Sequence, residues 1–335
     1  MKNINLFTLI LLSVIISCTS SHNNTKIKFI GETQGTYYAI TYFASDTLIA
    51  QVQVDSLLAD FDMIASIWEP NSLVSKINRN ETDEANNLHF EEMFNISQKI
   101  SAETEGSFDI TVGPLVNAWG FGFKNKQDLT KEMVDSIMQF VGYRNVRLEN
   151  GKIIKDHPNI QIDLNAIAPG YAVDILGKYF ESKGIKVYLI DIGGEIITKG
   201  LKPNGEKWIV GIEKPSEEAT SGRILKAKVK VADIGLTTSG NYRKFYIKDG
   251  VKYSHTINPH TGYPVTHSLL SATVFASNAA FADGYATAFM VMGLEKTKLF
   301  LEKNKNLGVY LIYTDEAGNL RTFTTPDVEK MLNEL

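Results

Sequence analysis

The chain has 335 residues, enough to build a large core as one or two domains. Hydrophobic residues at 44% and charged residues at 21% are the proportions of an ordinary globular protein. A net charge of −4 gives no reason to expect nucleic acid or an anionic membrane surface as an electrostatic partner, and a single cysteine excludes a disulfide framework or a thiolate metal cluster.

Lys2 precedes an apolar run from Leu6 to Ile16, too short to span a bilayer and typical of a signal-peptide core. The run ends in Ile15-Ile16-Ser17-Cys18, which resembles a bacterial lipobox, in which the cysteine is lipidated. Residues 1–17 therefore read as a lipoprotein signal peptide, Cys18 as the site of lipidation (palmitate among the acyl groups), and residues 18–27 as a polar tether. The globular part, residues 28–335, is then expected outside the cytoplasm, on the periplasmic face of the inner membrane. The competing reading is an incidental cysteine in an ordinary cleaved signal.

Lys28 to Phe43 reads as a hairpin around Gly31 and Gly35. Val54, Leu57, Leu58, Phe61 and Ile64 then follow helical spacing, which predicts an amphipathic helix over Asp46 to Ile67. The loop after it carries Trp68, which is either a core filler or a ligand stacker. Phe90, Met93, Phe94 and Ile100 mark a second helix ending before Gly106. The segment Gly106 to Gly122 is rich in glycine beside aromatics, a pattern that suits either close approach to a flat ligand or a tight turn under a core tryptophan. A third helix is predicted over Lys131 to Val141, and Asn150-Gly151 reads as a hairpin turn.

A strand is expected at Ile160 to Leu164, followed by the small-residue loop Asn165-Ala166-Ile167-Ala168-Pro169-Gly170 and a helix with Ile175, Leu176, Tyr179 and Phe180 inward. Strand, loop and helix N-terminus together make a place where backbone N–H groups could meet phosphate, although neither GxGxxG nor a P-loop is present. Further strands are expected at Lys186 to Ile190, Trp208 to Glu213, Leu225 to Val231 and Tyr242 to Ile247. Between the last two, Thr237 to Tyr242 reads as a hydroxyl-rich turn, facing phosphate or capping itself.

The stretch from Tyr253 to Gly293 opens with a Pro- and Gly-stiffened loop holding His255, Asn258 and His260. A strand follows from Leu270 to Phe275, then a helix from Asn278 to Met292. Asp283 and Thr287 lie four residues apart in it, and so on one face. A carboxylate and a hydroxyl stacked this way are hard oxygen ligands suited to Mg²⁺ with a phosphate completing the shell. Alternatively Asp283 caps or pairs locally while Thr287 bonds to the preceding turn. Strands at Gly308 to Tyr313 and Leu320 to Phe323 and a helix begun by Thr325-Pro326 close the chain. Mixed strands and helices without an internal repeat favour an α+β fold.

Eight blocks in order carry a resemblance: QGTYY, WEPNSLVSKIN, GSFDITVGPLVNAWGFG, IDLNAIAPGYAVD, DIGGEI, TTSGNY, HTINPHTGYP and ADGYATAFMVMG. Together, from about Phe29 to Leu332, they resemble the ApbE family of FAD:protein FMN transferases. The resemblance implies a mixed α+β architecture of mainly antiparallel sheets with flanking helices, ApbE-like and T-fold-related. It implies Mg²⁺-dependent transfer of FMN from FAD to a Thr or Ser hydroxyl of a partner protein through a phosphoester bond, with release of AMP. Flavin-acceptor subunits of Rnf- or Nqr-type membrane redox complexes are the partners it suggests.

Position by position, the resemblance assigns metal binding to the side chains of Asp283 and Thr287 and to backbone oxygens at Ala166 and Ala286. It assigns FAD contacts to Gln34, Trp68, Ser107, Phe108, Asp109, Asp163 and Ile257, and to the position of Pro169. Two of these depart from the family pattern: Gln34 stands where a methionine is usual, and Pro169 where many members have a lysine. His255 is the candidate general base, with Asp283 second; the alternative for His255 is a structural hydrogen bond. Two alternatives stand beside it: an FAD pyrophosphatase giving FMN and AMP with the same site residues, and a non-catalytic FAD-binding lipoprotein, against which Asp283 with Thr287 argues.

Overall fold

The computed structural model describes residues 24–46, 48–122, 129–215, 224–241, 245–248 and 251–335. The predicted signal peptide and Cys18 lie outside them, as does the start of the tether. The first hairpin forms as expected, β1 (Thr25–Thr33) and β2 (Thr36–Ala44), turning on Gln34 and Gly35, both at positive φ. The following helix, α1 (Gln51–Ala65), starts five residues later than its apolar spacing suggests, where the Gln53 side chain accepts the Ala50 N–H at 2.9 Å. Then come α2 (Leu73–Asn78), α3 (Leu88–Glu103), α4 (Gly113–Ala118) and α5 (Lys131–Met138). Two of these, α2 and α4, are too short to leave a periodic signal. Helix α5 stops three residues before the predicted Val141, because Phe140 and Val141 donate instead in tight turns to Ile137 and Met138.

Strands β3 (Val146–Glu149) and β4 (Lys152–Lys155) pair across Asn150-Gly151, both at positive φ as a type I′ turn requires. The expected strand at Ile160 to Leu164 is not one. Its residues do alternate inward at Ile160, Ile162 and Leu164. Its ladder partner, however, is a side chain: Asn78 donates to the Ile162 carbonyl at 2.8 Å and accepts the Ile162 N–H at 2.7 Å. Helix α6 (Ala168–Ser182) follows, then β5 (Tyr188–Ile192) and β6 (Glu195–Lys199), joined by Gly193 and Gly194 at φ of 64° and 117°.

Next are β7 (Trp208–Glu213), β8 (Leu225–Val231) and β9 (Ile234–Gly240). Strand β9 corrects a second expectation, since Thr237 to Gly240 is not a turn but strand, paired on one side with β12. Threonine suits that setting, and Thr238 meets its cross-strand partner Thr273 hydroxyl to hydroxyl at 2.8 Å. The chain continues with β10 (Phe245–Lys248), β11 (Val251–Ser254) and β12 (Leu269–Ala276). It ends with α7 (Ala279–Lys303), β13 (Gly308–Thr314), β14 (Leu320–Thr324), α8 (Pro326–Glu329) and β15 (Leu332–Glu334). Helix α7 runs past the expected end at Met292, with a break at Gly293, where φ is 75° and ψ 178°.

The main sheet has eight antiparallel strands in the order β1-β2-β5-β6-β9-β12-β13-β14. One face carries α1, α3, α6 and α7, and the large core lies between them, with Tyr38, Phe90, Phe180, Val274 and Phe289 fully or almost fully buried. The other face is covered by a small sheet, β15-β8-β7, across a second core of Trp208, Val210, Val229, Leu236, Phe275 and Tyr310. Burial on both faces explains why β12 reads as a nearly continuous apolar run without alternation. The fold is the α+β, mainly antiparallel arrangement the sequence leads one to expect.

Candidate active site

At one end of β5, β6 and β9 the sheet meets the N-terminus of α6, and a cavity of about 880 Å³ opens there. That is within the range of pockets that enclose a large ligand. Twelve of the residues singled out from the sequence line it: Gln34, Trp68, Ser107, Phe108, Asp109, Asp163, Ala166, Pro169, His255, Ile257, Asp283 and Thr287. Ala286 is fully buried inside α7 and is not part of the lining.

Helices α6 and α7 cross at the cavity floor. Asp283 is 5% exposed, and its Oδ2 accepts the Gly170 N–H at 3.1 Å. This contact requires glycine, because a Cβ at residue 170 would lie 2.5 Å from the Ala279 carbonyl and 2.8 Å from the Asp283 Cβ. The phosphate-cradle expectation for the α6 N-terminus does not survive. The Ala168 N–H goes to Leu164, Pro169 has none, Gly170 donates to Asp283, and Tyr171 donates to Ile167. One turn along α7 from Asp283, the Thr287 hydroxyl faces Ser239 of β9 at 3.4 Å.

Asp109 shapes the turn that carries Ser107 and Phe108. Its Oδ1 accepts from the Thr111 N–H and hydroxyl at 2.7 and 2.6 Å, and its Oδ2 from the Tyr143 N–H at 2.7 Å. Burial pushes its pKa up, against the pull of those three bonds. Asp163 is likewise raised by burial, with its Oδ1 holding the Asn165 N–H at 2.9 Å. Across the cavity, the 255–265 loop is pinched by an Ile257–Pro264 bridge and turned by Gly262 at φ 77°. Trp119 locks this loop, donating its indole N–H to the Gly262 carbonyl at 2.8 Å; it is a core tryptophan and does not line the cavity. Phe121 does line it and meets the His255 ring edge-on at 6.4 Å. Trp68 lines the cavity and, at 55% exposed, is not a core filler. Gln34 sits at φ 51° in the first hairpin turn, its amide donating to Asp62 at 3.4 Å.

Several lining residues escaped the sequence reading. Glu195 begins β6 directly after the paired glycines, and burial together with the nearby Asp283 charge pushes its pKa up. Asp191 closes β5, receiving the Gly194 N–H at 2.9 Å and the Tyr37 hydroxyl at 3.3 Å. Ile209, Gly211 and Glu213 of β7 form a further wall. The local signal is an acid on each side of Gly193-Gly194 in the block DIGGEI. Six carboxylates therefore line the cavity (Asp109, Asp163, Asp191, Glu195, Glu213 and Asp283), while no described lysine or arginine does.

The donors at the floor suit a divalent cation. Among the described residues no three His, Cys, Asp or Glu side chains converge as a metal cluster. The corner instead offers one buried carboxylate, Asp283, and one hydroxyl, Thr287, a pair that fits Mg²⁺, which keeps waters and takes phosphate oxygens. Burial, and after it the Asp174 charge, push the Asp283 pKa up against the lowering effect of the Gly170 N–H. A bound divalent cation would reverse that shift.

An antiparallel sheet opening on an acid-floored, aromatic-rimmed cavity defines an α+β ligand-binding protein. The sequence profile of the ApbE family matches residues 34–311, and the chain belongs to that family. The FAD:protein FMN transferase of Vibrio cholerae serotype O1 is 34% identical over 300 residues, covering 87% of this chain and 89% of its own. The crystallised flavin transferase ApbE from Vibrio cholerae superimposes with a TM-score of 0.81 at 31% identity, covering 92% of this chain and 99% of that one. The apo form of the Pseudomonas stutzeri flavinyl transferase ApbE gives 0.82 at 29% identity, over 92% and 97%.

Proposed function

We propose that this protein transfers FMN from FAD to a hydroxyl of a partner protein and releases AMP, in a Mg²⁺-dependent reaction. Family membership and the relatives' activity support the reaction. The observation that carries the metal requirement is the floor of the cavity, where the buried Asp283 carboxylate and, one turn along α7, the Thr287 hydroxyl both line the space. A pyrophosphate entering beside a buried carboxylate needs a cation between the two to offset their repulsion. Asp283 and Thr287, with the main-chain carbonyl of Ala166, would hold Mg²⁺. When bound, it offsets the pyrophosphate charge and stabilises charge developing on the leaving AMP oxygen.

The chain's own residues then have separable tasks. Trp68, Phe108 and Ile257 offer apolar surface for the flavin, and the Asp109-braced turn holds Phe108 in place. Gln34, Ser107, Asp163 and Pro169 complete the FAD contacts. His255 takes the proton of the incoming hydroxyl on a ring nitrogen. The hydroxyl oxygen bonds to the FMN phosphorus while the bond from that phosphorus to the bridging oxygen breaks, and that oxygen leaves on AMP.

The lipidation of Cys18 belongs to the same proposal. It would leave a short polar tether before β1 at Thr25 and set the cavity near membrane-bound acceptors such as Rnf- or Nqr-type subunits. No described helix is long and apolar enough to cross a membrane. Cys18→Ser is expected to move the protein out of the membrane fraction, and unchanged fractionation overturns the anchor.

The test of function is direct. Purified protein is incubated with FAD, Mg²⁺ and a candidate acceptor subunit, with a chelator in a parallel sample. In-gel flavin fluorescence on the acceptor is expected, with AMP in equal amount and neither product in the chelated sample. AMP and free FMN without labelled acceptor would assign a pyrophosphatase, and FAD binding without AMP a carrier.

A further inference from the structure

Asp174 lies on α6 among inward-facing apolar neighbours, is 9% exposed, and has no place in the reaction scheme above. Its Oδ1 accepts the Ala279 N–H and its Oδ2 the Ala280 N–H, each at 2.9 Å. These are the first two N–H groups of α7, and Asn278 takes the next, from Phe281, at 2.9 Å. A buried carboxylate from one helix therefore caps the start of the other.

The capping is mutual. Asp174 stands one turn after Gly170 on α6, and Asp283 stands one turn after Ala279 on α7. Asp283 holds the Gly170 N–H, while Asp174 holds the Ala279 N–H. The two helices thus exchange carboxylates across a contact so close that only glycine fits at 170. Any slide or roll of α7 that loosens one bond loosens the other, because both lie on the same pair of helix faces.

We propose that Asp174 is a positioning residue for the Asp283 carboxylate: by pinning the first turn of α7 to α6 it sets the orientation in which Asp283 meets the cavity. This rests on the reading that Asp283 binds the divalent cation. Outer groups that orient metal-binding carboxylates typically change metal affinity about 10- to 100-fold when removed. Asp174 acts through the helix rather than by touching Asp283, which places it at the low end.

The test titrates Mn²⁺ into the full protein with saturating FAD, read by the loss of free Mn²⁺ signal in electron paramagnetic resonance, for the parent, Asp174→Ala, Asp174→Asn and Asp283→Ala. Asp174→Ala is expected to raise the Mn²⁺ Kd about 10-fold, with the Mg²⁺ midpoint for AMP release moving in parallel and the KM for FAD at saturating Mg²⁺ holding within about twofold. Asp174→Asn keeps one acceptor oxygen for the two N–H groups and should recover most but not all of the loss, leaving the Kd about threefold above the parent. A folded Asp174→Ala with parental Mn²⁺ affinity, however lowered its melting temperature, overturns the proposal and leaves Asp174 a plain helix cap. If Asp174→Ala does not fold, Asp174→Asn carries the test: an unshifted Kd counts against the proposal and a rise of about threefold supports it. Asp283→Ala separates the two readings, since unchanged Mn²⁺ binding there refutes the metal site itself.

Discussion

The α6–α7 corner and the opposite rim of the cavity enclose the same space by different means. At the corner, every first-turn N–H of α6 is engaged, Asp283 and Asp174 are buried, and Gly170 lets the backbones meet. At the rim, Trp68 is 55% and Ile209 54% exposed, and His255 rides on a loop held from behind by Trp119. The comparison shows a division of labour. Groups that need fixed geometry are on packed helices, where neighbours lock them. Groups that need only apolar surface are on a loop and a strand edge, where ligands differing in shape can be met. Variants in the corner should therefore change chemistry and metal dependence, and variants at the rim should change affinity.

The largest effect is expected from Asp283→Ala. Metal stabilisation of a reacting phosphoryl group is worth several kcal/mol, so AMP release at low Mg²⁺ should fall by about 100-fold or more. Thr287→Ala removes a neutral ligand that water replaces, and should lose about tenfold, recovered by raising Mg²⁺. A metal titration of both variants would break the comparison if Asp283→Ala kept near-parental activity.

Gly170→Ala comes next. Its new Cβ must push against the Ala279 carbonyl, which is backbone and cannot yield cheaply. Overpacking of this kind costs about 1–3 kcal/mol, visible as a lower denaturation midpoint together with a weakened metal response. An Ala variant as stable as the parent would show the corner to be looser than its distances imply.

At the rim, Trp68→Ala should weaken FAD binding by about 3- to 10-fold, the worth of one aromatic contact, while leaving the Mg²⁺ midpoint in place. Fluorescence titration of FAD separates the two quantities, and a shifted metal midpoint would argue that rim and corner are not independent. Pro169→Lys tests the missing cation at the boundary between them. It should tighten FAD modestly when Mg²⁺ is scarce and lose that advantage as salt screens the pair. Unaltered affinity would mean that Pro169 does not face the phosphates.

The smallest expected effect lies behind the rim, at His267. Its ring is held on the Met290 carbonyl at 2.8 Å, and burial depresses its pKa below the ordinary histidine value. The folded chain therefore resists a proton that the unfolded chain accepts at pH about 6.5. The stability this contributes is present above that pH and is lost as pH falls through the depressed folded value. Melting curves should show His267→Gln flattening the decline between neutral and mildly acidic pH, and an unchanged slope would place the decline elsewhere.

Much of the corner is readable from the sequence, because the four-residue spacing of Asp283 and Thr287 and the small residues around Gly170 are local patterns. What escaped depends on partners distant in the chain. The stretch Ile160 to Leu164 has the alternation of a strand, yet its ladder is made by Asn78, 84 positions away. Asp174 looks like one acid in an apolar helix until α7 is seen to begin on it. Glu195 reaches the cavity only because two glycines fold β6 back along β5. A run of Thr and Ser is equally a turn or a strand until a sheet offers it neighbours, as β12 does for β9.

The order of strands in the main sheet has one more consequence. Running across it, β1-β2-β5-β6-β9-β12-β13-β14 follows the chain without a reversal, and every pairing is antiparallel. Each strand therefore docks on the one most recently laid down, so the sheet can grow from its N-terminal edge as the polypeptide emerges. The cavity cannot be completed so early. Its floor waits for α7, which enters only after β12, and until then α6 stands with the Gly170 N–H and the Asp174 carboxylate both unmet by α7. Six of the eight strands precede α7 in the chain, so most of the sheet is laid down before the site is closed by a single helix docking.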